Sequence, residues 1–110
     1  MGQRVAFPQP DAPARSLGEF VAIAHKLAKR SENVYLDHPH AKERMAERGI
    51  SIQQIFDVLR RGVGVDGPTL DKHGCWRIKM QRFSSGKTVQ VVVVVKELHL
   101  EVITVITKAR

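Results

Sequence analysis

The sequence predicts an α+β fold, with N-terminal helices packed on an antiparallel β-meander of three to four strands. Three observations carry that expectation. Apolar residues recur at helical spacing up to residue 59, and from Val63 onward they alternate or run together as strands do. Short polar turns separate the extended runs, which suits a meander lying after the helices. With 110 residues, 43% of them hydrophobic and 26% charged, the chain is sized for one such layer pair.

Residues 1–15 hold Pro8, Pro10 and Pro13 with little apolar content, and read as a flexible Pro-rich arm ahead of a single domain over 16–110. Ser16 opens a helix, with Glu19 completing a capping box. Phe20, Ile23, Ala24 and Leu27 form its buried stripe, and Lys26, Lys29 and Arg30 oppose the negative end of its dipole. Val34–Leu36 is a short apolar lead-in with strand character. Asp37 or His38 then caps a second helix, with Pro39 in its first turn and Gly49 as its left-handed stop. A third helix follows at once. Ser51 caps it, Gln54 closes the box, Ile50 and Ile55 form a staple, and Gly62 ends it.

Gly64, Gly67 and Pro68 break the next segment, so Val63–Val65 predicts at most a short strand. Trp76–Phe83 alternates, with Trp76, Ile78 and Met80 on one face and Arg77, Lys79 and Gln81 on the other. Val89–Val95 is a nearly continuous valine run, which predicts a central strand covered on both faces. Leu100–Thr107 is the closing strand.

Eighteen Lys and Arg against eleven Asp and Glu leave a net charge of +7, which favours a polyanionic partner, either RNA or an acidic protein. No apolar run approaches a membrane span, and the N-terminus resembles neither a signal peptide nor a myristoylation motif. One cysteine, Cys75, suits a reducing compartment, so a cytoplasmic protein without membrane contact is expected.

His40, Arg44 and Arg48 stand four apart and so share a helix face. Two guanidiniums grip a phosphate, and an imidazole moves a proton near neutrality. These three are the candidate catalytic residues. Arg77, Lys79 and Arg82 are the candidate nucleic-acid contacts, on a strand expected to line one groove with the basic helix. The spacing of His38 with His40, and of His73 with Cys75, matches no zinc module, so neither metal nor cofactor is expected. The glycines from Gly62 to Gly67 match no nucleotide-binding loop. A DNA-reading helix-turn-helix is disfavoured because the basic residues lie on the first helix of the pair.

The run His40-Ala41-x-x-Arg44-Met45-x-x-Arg48-Gly49-Ile50-Ser51, followed by Ile55, Val58, Leu59 and Gly62, resembles a small bacterial domain family of unknown function. The Trp76-Arg77 strand, the valine strand and Val102–Val105 extend the resemblance over about 34–107. More remotely, the order of elements is similar to BrnT-type toxins of the RelE/ParE superfamily, which implies RNA cleavage without metal and pairing with an antitoxin. On that basis the expected function is a toxin-like, metal-independent endoribonuclease. The alternatives are a non-catalytic RNA- or protein-binding module using the same basic face, or a protein that self-associates as a homodimer through its sheet.

Overall fold

The computed structural model describes residues 16–108; the proline-rich arm assigned to 1–15 lies outside the described residues. Helix α1 (Leu17–Leu27) starts at Ser16, whose hydroxyl accepts from the Glu19 amide while the Glu19 carboxylate accepts from the Ser16 amide. Both halves of the capping box are thus present. A single 3₁₀ turn (Ser31–Asn33) leads into strand β1 (Val34–Tyr35).

Helix α2 (Pro39–Arg48) is capped by His38, and Gly49 ends it at φ +62°, a conformation that glycine adopts without a Cβ penalty. The Lys87 ammonium donates to the carbonyls of Arg48 and Gly49 and satisfies two acceptors at that end. Helix α3 (Ile52–Arg61) begins with the second capping box, Ser51 with Gln54.

Strands β2 (Val63–Leu70), β3 (Trp76–Ser84), β4 (Lys87–Val95) and β5 (Leu100–Lys108) follow as an antiparallel meander. The sheet nevertheless differs from the three- to four-stranded antiparallel expectation. It has five strands in the order β1-β5-β4-β3-β2, and it is mixed, because β1 runs parallel to β5 at Val34–Leu100 and Tyr35–Glu101. A two-residue lead-in carries no local sign of its pairing partner. That partner arrives some 65 residues later, and only the folded chain brings the two together.

The other difference is β2, which runs for eight residues through Gly64, Gly67 and Pro68. It is an edge strand, where a missing N–H is tolerated, and its register against β3 shifts twice. Gly64 is there for packing. A Cβ at this position would lie 2.7 Å from Val21 Cγ2 and 2.8 Å from Leu17 Cγ, so α1 presses directly on the β2 backbone.

The core forms between the helices and one face of the sheet. Phe20, Ala24, Ile55, Val58 and Leu59 meet Ile78, Met80, Val89, Val91, Val93, Val102 and Val105, all buried. The Phe20 and Trp76 rings pack at 5.9 Å. β4 is central as expected, but among the described residues no helix covers its second face. Val94 is still only 3% exposed there, because its neighbours Arg77 and Glu101 stand beside it in register. This uncovered face carries the candidate site.

Candidate functional site

The β2–β3 connection is organised by one carboxylate. Asp71 Oδ1 accepts from the amides of His73 and Cys75, both at 2.9 Å, and Oδ2 receives Arg77 Nη2 at 3.3 Å. A backbone pair between Asp71 and Cys75, with Gly74 N–H donating to Asp71 O, closes the loop. The Cys75 amide is the main reason the Asp71 carboxyl is held below its ordinary pKa; His73 and Arg77 add to this while burial opposes it. The side chain is 13% exposed, so its charge is well shielded.

The β4–β5 turn has a matching device. Glu101 Oε2 lies 3.0 Å from His99 Nε2 and 3.6 Å from Lys96 Nζ. The bond from His99, aided by Lys96, lowers the Glu101 pKa against the opposing effect of burial.

These two turns and the start of α2 surround an open cleft of about 600 Å³ on the uncovered sheet face. His38 reaches it from α2, Lys72 and His73 from the loop, Arg77 from β3, and Lys96 from the far turn. Counting Asp71 and Glu101 against Lys72, Arg77 and Lys96, the cleft has a formal excess of one positive charge before any histidine is protonated. The Arg77 Nε is buried and lacks a hydrogen-bond partner among the described residues. A buried donor left unpaired costs about 1–3 kcal/mol, more for a charged group.

The His38 ring is also constrained. Its Nδ1 accepts from the His40 amide at 3.2 Å, which leaves Nε2 to carry the proton of the neutral ring. His38 is therefore built as a donor.

The expected site residues separate in space. His40 is exposed, with its ring 6.5 Å from that of His38, near the cleft but not among the residues that line it. Arg44 pairs with Glu47 on its own helix. Arg48 donates to the Val105 carbonyl at 3.2 Å, at the part of β5 that β1 does not cover. Arg77 and Lys79 do share the open face, and a depression of about 200 Å³ between them adjoins the cleft through Thr69 and Arg77. Arg82 does not join them. It lies on the helix side of the sheet and pairs with Asp57 of α3 at 3.0 Å. Its strand parity, the same as Trp76, Ile78 and Met80, was the signal for this. His38, Asp71, His73 and Lys96 were not singled out as site residues, although Asp71 three residues before Gly74 is a turn signature.

The model of one family covers residues 38–107, the stretch that begins at His38 of the cleft and ends in β5. The chain belongs to the DUF4258 family. Its description is a domain of unknown function, so membership states kinship and carries no activity. No curated protein and no solved structure matches the chain. The matched part of the DUF4258 protein contains the whole cleft and leaves α1 outside, although α1 supplies Phe20 and Ala24 to the core. Among the described residues no helix is long and apolar enough to cross a membrane, and no group of three His, Cys, Asp or Glu could hold a metal ion.

Proposed function

We propose that the DUF4258 protein is a toxin-like, metal-independent endoribonuclease, akin to the BrnT and RelE toxins, working in the cleft of the open sheet face. The reading rests chiefly on one observation: the exposed part of the Arg77 guanidinium shares a cleft with His38, whose Nδ1 is engaged by the His40 amide so that its Nε2–H is left as a donor. A phosphate oxygen is the natural acceptor for the exposed guanidinium N–H groups and for the His38 Nε2–H.

In this reading His73 takes the proton of the ribose 2′-hydroxyl as its oxygen attacks phosphorus. The bond to the 5′-oxygen breaks, that oxygen takes a proton from water at the open mouth, and a 2′,3′-cyclic phosphate remains. Arg77, Lys96 and the His38 Nε2–H stabilise the charge that gathers on the phosphorane. Lys79 holds the neighbouring phosphate. DNA, lacking the attacking hydroxyl, is bound and not cut. His40 stands at the mouth, while Arg44 and Arg48 hold α2 through Glu47 and Val105 rather than touching the phosphate.

A non-catalytic RNA-binding module is the second reading, favoured by the ion pairs that already engage Arg77 and Lys96. Incubation with single-stranded RNA in EDTA separates the two. The enzyme yields 2′,3′-cyclic ends, lost in His73→Ala and Arg77→Ala and kept in His40→Ala. Intact RNA with salt-dependent binding establishes the module instead. Neither cleavage nor binding refutes both.

A further inference from the structure

The cations of this protein are densest away from the cleft. The last turns of α1 and α3 lie side by side, joined by Arg60 Nε donating to Ala28 O at 2.6 Å and by His25 Nε2 at 2.8 Å from Gly62 O. Lys26, Lys29, Arg30, Arg60 and Arg61 are all exposed at this end. The nearby Glu32 pairs with Arg30 at 3.6 Å. Among the described residues no carboxylate pairs with Lys26, Lys29 or Arg61. The two helix C-termini contribute about half a negative charge each, too little to balance the group.

Beside this patch runs an open groove of about 450 Å³ along the outer side of α3. Its lining includes Ile52 and Phe56, one helical turn apart, then Arg60 and Arg61, with Ser31 opposite. Ile52 is 51% exposed, and Arg60 stacks on the Phe56 ring at 4.5 Å. Asp57 in the groove is already neutralised by Arg82. Gln53, Gln54, Ser84 and Ser85 border Ile52, so the groove carries two apolar side chains within a polar rim at one end and is cationic at the other.

We infer that this groove docks an acidic amphipathic segment of a partner protein, with apolar side chains over Ile52 and Phe56 and carboxylates over Arg61 and Lys29. Charge complementarity names the anion, and the apolar half selects among anions. A nucleic-acid backbone would satisfy the arginines but leave Ile52 and Phe56 uncovered, whereas an amphipathic helix fills both halves. The groove lies on the helix layer, across the sheet from the cleft, so the docking is independent of any reaction there.

The test uses the full chain and an 18-residue synthetic peptide with leucines at i, i+3, i+4 and i+7 spacing and glutamates elsewhere. A scrambled peptide of equal composition and a single-stranded RNA of equal charge serve as competitors. The patterned peptide should bind at least about tenfold more tightly than the scrambled one, and its amide shift changes should centre on α3 and the end of α1. The Lys29→Glu/Arg61→Glu double variant should lose about tenfold or more, and Ile52→Ser a similar factor, with unchanged circular dichroism and melting. All three positions are exposed, so the variants should fold. Equal affinity for the scrambled peptide, displacement by RNA at the same residues, or indifference to Ile52→Ser overturns the inference. RNA cleavage in the cleft should be the same in wild type and double variant, so failure here leaves the ribonuclease reading standing.

Discussion

The protein holds two cationic regions, and they are built in opposite ways. In the cleft, Arg77 and Lys96 each have a carboxylate partner, Asp71 and Glu101, and both carboxylates take additional hydrogen bonds that hold their turns in shape. At the α1–α3 end, five exposed cations have one carboxylate ion pair among the described residues, Arg30 with Glu32. The first arrangement fixes the direction of a few donors; the second provides attraction without fixed geometry. A net charge of +7 describes neither, since pairing decides which cations are available to a ligand.

The most severe way to break the contrast is to remove the layer between the two regions. Leu59→Ala empties a fully buried position and should lower stability by about 2–5 kcal/mol in urea titrations. It should damage cleft and patch together. Arg77→Ala should strike the cleft alone, lowering RNA turnover in EDTA by about 10²–10³-fold, the loss typical of one oxyanion donor. Peptide binding at α3 should persist in that variant.

Asp71→Asn sharpens the comparison through pH. The Asp71 and Glu101 pKa values are depressed on folding, so each adds stability that is fully present above the ordinary carboxylate range. That stability is lost as the pH falls from about 4 through the lower native values. Urea midpoints should drop over this interval. Asp71→Asn should flatten part of the drop while costing about 1–2 kcal/mol at pH 7. An unaltered pH profile in that variant would show that the loop does not depend on the charge. The smallest effect belongs to the patch: Glu32→Gln removes an exposed pair and should shift stability by less than about 0.5 kcal/mol.

Of the cleft lining only Arg77 was legible as a site residue, with Lys79 beside it, and the assembly of the cleft was not. Arg77 and Lys79 were placed on the outer face by alternation, and the structure keeps them there. The same alternation, carried three residues further, puts Arg82 on the inner face, where it meets Asp57. Helical spacing says that His40, Arg44 and Arg48 align along α2 but not where the N-terminus of the helix points. Among the described residues the start of α2 and the basic strand meet in one cleft through His38, the helix cap.

The chain by itself determined where its helices start, where α2 and α3 stop, and where its three long strands run. Capping boxes, a left-handed glycine and strand alternation all act within a few residues of one another, so local chemistry suffices. Tertiary structure decided the parallel pairing of β1 with β5, the persistence of β2 through its glycines and Pro68, and which cations acquired carboxylate partners. Those outcomes depend on groups brought together from distant parts of the chain, and no local propensity carries that information.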